Sequence, residues 1–157
     1  LNTGGPPAKD FFSITEEEWH KFFNQLFLGF IILLKEIKIK KNGYIFLISS
    51  HTIKNPEANL ILSNSMRSAF SSVFKTLSIH YSKQNISTIN IAPGPIKTAR
   101  LIKLVKDMPQ FENSLPLKRA GKPDEIALFI KSIILNKIKY LNGTTIFFDG
   151  GLSKTIF

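Results

Sequence analysis

The sequence predicts a doubly wound α/β fold, in which helices cover both faces of a parallel sheet. Three short, apolar, β-rich runs lie at residues 44–48, 86–92 and 144–148, and they alternate with long helical patterns. Continuous apolar runs of this length are typical of central parallel strands. Strands that alternate with long helices indicate crossover connections within one parallel sheet. We expect a single domain over residues 1–157.

The helices are predicted from their start signals and their apolar spacing. Residues 15–18 (TEEE) form a capping box, with acidic side chains in the first turn. The helix that follows is apolar on two faces, so we expect it to be buried against the sheet and against a partner subunit. Pro123 followed by two acids marks the start of another helix. The predicted helices cover residues 16–38, 63–83, 99–107 and 123–136, with a loop at 108–122.

Composition excludes several classes of protein. The chain has no cysteine, so it has no disulfide framework, no thiolate metal site and no cysteine nucleophile, which fits a cytoplasmic protein. No stretch reaches the roughly 18 apolar residues of a membrane span. His20 and His80 lie on predicted helices without metal-ligand partners at suitable spacing, so we expect no metal site and assign both to the surface or an interface.

The net charge of +10 has two interpretations. A basic chain is typical of nucleic-acid binding, but a lysine-rich surface also keeps a protein soluble. The lysines are dispersed, and the aromatic residues are mostly phenylalanines on apolar faces. We therefore favour solubility and expect neither a nucleic-acid nor a membrane partner.

The carboxyl end of the first predicted strand is the candidate site. The run 45–48 stops at Ser49 and Ser50, and a loop then leads into the second long helix. In α/β folds, ligands bind beside the carboxyl ends of the strands. The opening loop, residues 2–7, holds two glycines and two prolines, which allow backbone to approach a ligand closely. A frayed terminus is the other interpretation of this loop.

Five short motifs follow one another along the chain. They are Asn2-Thr3-Gly4, Ile48-Ser49-Ser50, PGPIKT at 93–98, PLKRAGKPDEI at 116–126, and a segment at 142–151 that opens with NG and ends with DGG. Their order and spacing resemble the C-terminal part of a short-chain dehydrogenase/reductase, a family of NAD(P)-dependent oxidoreductases on a Rossmann fold. The chain is similar to the branch of 3-oxoacyl-acyl-carrier-protein reductases.

The resemblance implies a cofactor, a reaction and an assembly. The cofactor would be NAD or NADP, and hydride would pass to or from a carbonyl or alcohol of a small molecule or acyl thioester, such as a 3-oxoacyl group. Ser50 would polarise the substrate oxygen, and the two long helices at 16–38 and 63–83 would form a homodimer or homotetramer. The residues implied to bind the cofactor are Asn2, Gly4, Arg67, Pro93, Gly94, Ile96 and Thr98.

Two features depart from the family pattern. The N-terminal strands and the G-x-x-x-G-x-G turn are absent, and the chain does not begin with methionine. We therefore expect either part of a longer chain or a fold completed by another polypeptide. The catalytic Y-x-x-x-K motif is also absent. Family spacing from Ser50 puts Ser63 at the tyrosine position and Arg67 at the lysine position, while Leu26 occupies the position of an active-site asparagine.

These replacements leave Ser50, Ser63 and Arg67 as the catalytic candidates. A phenol pKa can be lowered towards neutrality by a nearby cation, whereas a serine hydroxyl cannot be brought close by the same means. Arg67, four residues after Ser63 on one helix face, can still bind ribose hydroxyls or a phosphate. A catalytically impaired homologue that binds cofactor or supports assembly is thus an alternative. Ser63 could also be a plain N-cap, and His51 either a replacement acid or a solvated loop residue.

Overall fold

The computed structural model describes residues 1–156 of the chain. Its three strands form one parallel sheet in the order β1 (Tyr44–Ile48), β2 (Ser87–Pro93) and β3 (Thr144–Phe148). The register pairs Tyr44 with Ser87 across the first ladder and Ile89 with Thr144 across the second. The central strand β2 is buried along nearly its whole length, as its continuous apolar pattern predicts.

The helices match the prediction except at one place. They are α1 (Glu16–Phe23), α2 (Gly29–Glu36), α3 (Ile61–Ser82), α4 (Ala99–Leu104), α5 (Met108–Ser114) and α6 (Pro123–Leu135). A π-helical segment, Asn24–Leu28, joins α1 to α2. The predicted capping box is present, since Glu18 N–H donates to Thr15 Oγ1 at 3.3 Å and Thr15 N–H donates to Glu18 Oε2 at 3.1 Å. No helix within residues 1–156 is long and apolar enough to cross a membrane.

The loop expected at 108–122 is wrong for its first half, which forms α5. Pro109 supported the loop interpretation, yet a proline is compatible with the first turn of a helix because its missing N–H has no partner there. Asp107 supplies the cap, and its Oδ1 accepts from Gln110 N–H at 2.9 Å. An aspartate cap at Asp107 with a proline two residues later, at Pro109, therefore marks the start of a helix.

Helices cover both faces of the sheet, which confirms the doubly wound arrangement. Because neighbouring strand residues point to opposite faces, Ile45 and Leu47 pack on one side while Phe46 and Ile48 pack on the other. The first side meets α2 and α3 through Phe30, Leu34, Phe70 and Phe74. The second side meets α6 through Ile126, Phe129, Ile130 and Ile133.

The opening segment runs along the outer edge of β1. Ile48 N–H donates to the carbonyl of Leu1 at 2.9 Å, and the Leu1 amino group donates to the carbonyl of Phe46. Pro6 is buried, and Lys9 N–H donates to Asn59 O at 2.9 Å. The frayed-terminus interpretation is therefore wrong, because these contacts hold residues 2–7 beside the carboxyl end of β1.

Candidate active site

A cleft of about 600 Å³ opens at the carboxyl ends of β1 and β2. The opening loop, the first turns of α3 and α4, and the turn after β2 form its walls. The structure brings all nine predicted site residues to this cleft, although they are spread over almost 100 positions of sequence. They are Asn2, Gly4, Ser50, Ser63, Arg67, Pro93, Gly94, Ile96 and Thr98.

Ser50 is fixed by the residue two positions further on. Its Oγ accepts from Thr52 N–H at 3.2 Å and from the Thr52 hydroxyl at 3.0 Å. Thr52 is 1% exposed, so this partner is held rigidly. With both acceptor positions used, the Ser50 hydroxyl hydrogen is free to be donated to a group in the cleft. Sequence reasoning missed Thr52, although a serine hydroxyl commonly bonds the backbone N–H two residues further on in a turn.

Ser63 and Arg67 face the cleft from one side of α3. Arg67 Nε donates to Ser63 Oγ at 3.1 Å, and its Nη1 donates to the carbonyls of Ile48 at 3.0 Å and Ser49 at 3.2 Å. The two side chains lie on one face of the helix, as their i, i+4 spacing predicts. The N-cap interpretation of Ser63 is wrong, because α3 begins at Ile61 and Ser63 is already inside the helix.

Two guanidinium groups give the cleft its charge. Burial, with a smaller contribution from the nearby Arg100, lowers the pKa of Arg67 to about 10. Burial also lowers the pKa of Arg100, which lines the same cleft. No aspartate, glutamate, histidine, tyrosine or lysine of the described chain is among the lining residues. The cleft therefore attracts anions and donates hydrogen bonds, but it has no side chain that titrates near neutrality.

The turn after β2 lies close to the end of β3. Gly94 N–H donates to Phe148 O at 3.1 Å, and a Cβ on Gly94 would lie 2.9 Å from the Cα of Asp149. Only glycine fits this close approach of two backbones. Thr98 caps α4, since its hydroxyl accepts from Leu101 N–H at 3.3 Å. The segment from Pro93 to Thr98 thus forms a fixed wall of the cleft.

The opening loop is tied to the π-helical segment by a side chain that the sequence analysis missed. Gln25 Nε2 donates to Thr3 Oγ1 at 3.1 Å and to the carbonyl of Gly4 at 2.8 Å. Leu26, at the position expected for an asparagine, is 1% exposed and packs in the core with Phe22 and Leu62. The π-helical turn shifts the helix surface by one residue, and no sequence pattern used here indicates such a shift.

His51 is not solvated, so that interpretation is wrong. It is 8% exposed, its Nδ1 lies 3.3 Å from Pro93 O, and its Nε2 lies 3.2 Å from Glu57 Oε1. The hydrogen bond from His51 lowers the pKa of the Glu57 carboxyl. His51 does not line the cleft, so its position does not favour a role as replacement acid. His20 and His80 are exposed, as predicted for surface residues.

Comparison with known proteins identifies the family. Residues 2–153 match a family model described as enoyl-(acyl carrier protein) reductase. Dehydrogenase/reductase SDR family member 4 from Oryctolagus cuniculus is 29% identical over 145 residues, which are 88% of this chain and 56% of that protein. The chain belongs to the short-chain dehydrogenase/reductase family. This confirms the resemblance drawn from the five motifs.

One further relative and one solved structure are also similar to this short-chain dehydrogenase/reductase chain. A probable 2,4-dienoyl-CoA reductase from Bacillus subtilis is 32% identical over 117 residues, which are 71% of this chain and 46% of that protein. The chain thus spans about half the length of these relatives. The structure of YwfH, an NADPH-dependent reductase involved in bacilysin biosynthesis, matches with a TM-score of 0.89 at 26% identity, over 99% of this chain and 66% of that one. The predicted Rossmann-type fold is confirmed.

Proposed function

We propose that this chain forms the substrate and nicotinamide side of an NAD(P)-dependent oxidoreductase that interconverts a carbonyl and an alcohol. The observation that carries the proposal is the convergence of Ser50, Ser63 and Arg67 with the turn Pro93–Thr98 on one cleft. A serine hydroxyl, a permanent cation and close-approaching backbone meet there. The YwfH structure, whose title names an NADPH-dependent reductase, has the same fold and supports this choice of cofactor.

The residues of the cleft fit a nicotinamide dinucleotide. No lining residue is a carboxylate, so a phosphate-bearing ligand meets no like charge among the described residues. Asn2, Gly4, Pro93, Gly94, Ile96 and Thr98 would line the nicotinamide side. Arg67 would hold the ribose, because its guanidinium is anchored by two backbone carbonyls and its Nη2 has no acceptor within residues 1–156. When bound, the nicotinamide supplies or accepts hydride.

Ser50 is the group proposed to act on the substrate oxygen. Its hydroxyl accepts twice from Thr52, which leaves its hydrogen for a carbonyl oxygen in the cleft. Hydrogen bonding polarises that carbonyl and stabilises negative charge as it develops on the oxygen. Since the cleft holds no side chain that titrates near neutrality, the alcohol proton would come from water at the cleft mouth. A 3-oxoacyl thioester is the substrate proposed for the first assay.

A catalytically impaired subunit that binds cofactor or supports assembly is the second candidate. It is favoured by the absence of any tyrosine, histidine, lysine or carboxylate from the described lining of the cleft. Assembly through the two long helices is proposed as a homodimer or homotetramer. Exposed apolar side chains on the segment α1–α2, including Phe23, Ile32 and Leu33, are available for such an interface. Location in the cytoplasm stays a prediction.

One assay separates the two candidates. The full-length protein is mixed with NADPH and a 3-oxoacyl thioester, and the cofactor absorbance is followed. The enzyme predicts loss of that absorbance, and Ser50→Ala should slow it about 100-fold, since one oxyanion-stabilising donor is lost. Ser65→Ala, on the exposed side of α3, is the matched control and should keep the full rate. Saturable NADPH binding without turnover would contradict the enzyme and favour the binding subunit.

A further inference from the structure

A second arginine, Arg100, lines the same cleft as Arg67 and belongs to none of the predicted site motifs. It lies in the first turn of α4, two residues after Thr98. We infer that Arg100 forms a subsite for the carboxylate of an anionic carbonyl substrate, an oxo acid, and that the nearby charge of Arg67 adds to the attraction. The inference rests on the proposed function and names the substrate class of that same site.

Arg100 is held in place rather than free in solvent. Its Nη2 donates to the carbonyl of Pro6, and it is only partly exposed. A Cβ on Gly5 would overlap the guanidinium, so the missing side chain of Gly5 makes the space that Arg100 occupies. The guanidinium is therefore fixed between the opening loop and α4. A fixed planar group loses little entropy when it binds a planar carboxylate.

The positive charge of the pair is not compensated by the described residues. Neither arginine takes part in any ion pair within residues 1–156, and no carboxylate lines the cleft. Burial is the main cause that lowers the pKa of Arg67, and repulsion from the nearby Arg100 adds to it. A bound anion would offset this repulsion.

Arg100 has more free donors than Arg67. Arg67 spends Nε and Nη1 on protein acceptors, whereas Arg100 spends only Nη2 within the described chain. Nη2 of Arg100 carries a second N–H beyond the one that it donates to Pro6, and that N–H can form a two-point bond with a carboxylate together with the N–H of Nη1 or of Nε. Apolar side chains line the same cleft and suit a short carbon chain between the carboxylate and the carbonyl; they are Leu60, Leu101, Leu104 and Ile126.

A phosphate group of the cofactor is the other source of the same negative charge. Arg100 follows the segment proposed for the nicotinamide ring, and that ring is the end of the cofactor without phosphate. We therefore assign the anion to the substrate. If the anion is the substrate carboxylate, Arg100→Gln weakens binding of the oxo acid. If it is a cofactor phosphate, Arg100→Gln weakens binding of NADPH.

The test compares two probes that differ by one charge, acetoacetate and its neutral ethyl ester. Binding of each to the full-length protein is measured by isothermal titration calorimetry, with and without saturating NADP⁺. The variants are Arg100→Gln, Arg100→Lys and, as matched control, Lys103→Gln, which removes an exposed cation from the same helix outside this cleft. Circular dichroism of each variant reports its folding, and NADPH binding is measured separately by fluorescence.

We expect acetoacetate to bind at least about tenfold more tightly than the ester, as for a hydrogen bond to a charged group. Arg100→Gln should abolish that preference and leave NADPH affinity unchanged. Arg100→Lys keeps the charge and a donor for Pro6, so it should retain part of the preference for acetoacetate. Lys103→Gln should retain all of that preference. Equal binding of the two probes by the natural protein would overturn the inference, as would a loss confined to NADPH. Failure of the natural protein to bind NADPH would instead count against the proposed function.

Discussion

Arg67 is the residue on which the chemistry of this site depends. The predicted register places it where the family keeps a lysine and places Ser63, to which it donates a hydrogen bond, where the family keeps a tyrosine. The replacement keeps a cation and a hydroxyl at the same spacing but shortens the hydroxyl side chain and removes its acidity. The pKa of Arg67, about 10, leaves it charged at neutral pH. We therefore predict that the pair holds a ligand but does not transfer a proton.

Restoring the family pair should restore proton transfer. We predict that the double variant Ser63→Tyr/Arg67→Lys raises the turnover number at least about tenfold, because a positioned general acid contributes about 10²–10⁴-fold. The measurement is the steady-state rate with NADPH and a 3-oxoacyl thioester. Ser63→Phe/Arg67→Lys, of nearly the same size but without the hydroxyl, is the control. Equal rates for these two folded variants would contradict the register that places Ser63 at the acid position.

At the scale of elements, the π-helical segment between α1 and α2 decides which side chain reaches the opening loop. The extra residue in the turn leaves Leu26 in the core and presents Gln25 to Thr3 and Gly4. The family spacing places Leu26 at the position of an active-site asparagine. It does not show that the neighbouring Gln25 brings a side-chain amide to the opening loop. A bulge of this kind is set by tertiary packing, and propensity or periodicity carries no signal for it.

Gln25→Ala should loosen the opening loop and weaken cofactor binding. Loss of two hydrogen bonds to residues 3 and 4, at about 1 kcal/mol each, predicts a rise in the NADPH dissociation constant of up to about 30-fold. Fluorescence titration of the full-length protein measures it. Asn24→Ala is the matched control, since the Asn24 side chain is exposed and makes no hydrogen bond in residues 1–156. An unchanged dissociation constant for Gln25→Ala would show that the loop does not contact the cofactor.

The start of α6 predicts a pH dependence of stability. Hydrogen bonds from Arg119 and from Lys122 N–H lower the pKa of Glu125 from 4.5 to about 2. Because this pKa is lower in the folded than in the unfolded chain, the stabilisation is present above pH 4.5 and is lost as the pH falls towards 2. Glu125→Gln should lower the free energy of unfolding at neutral pH and flatten its decline in that window. Urea unfolding across pH measures this.

The neighbouring residue provides the control for that experiment. Asp124 is exposed and makes no ion pair in the described chain, so Asp124→Asn should keep the decline between pH 4.5 and 2. A Glu125→Gln variant with the same slope as the natural protein would mean that the bond to Arg119 adds nothing to folding. The sequence predicts a helix start at Pro123 with acids in the first turn, but only the structure shows that Glu125 both caps α6 and pairs with Arg119.

At the scale of the whole molecule, the fold follows from the sequence and the site follows only in part. Apolar patterns predict the three strands, their parallel direction and the helices on both faces, because burial sets those patterns. Helix α5 was missed, since a proline in a first turn looks like a loop signal. Thr52, Gln25 and Arg100 were missed because their roles depend on neighbours distant in sequence, on backbone turns and on the space left by Gly5.

Binding of NAD(P) in this cleft, with Arg67 as the anchoring cation, is the main prediction for this protein. It is tested most directly by fluorescence titration of NADPH into the full-length protein and into Arg67→Gln. Loss of a guanidinium that bonds the ribose predicts a dissociation constant raised at least about tenfold. Lys83→Gln, an exposed cation at the end of α3, should bind as the natural protein does. Equal NADPH affinity for Arg67→Gln and the natural protein, or no saturable binding by either, would contradict the account.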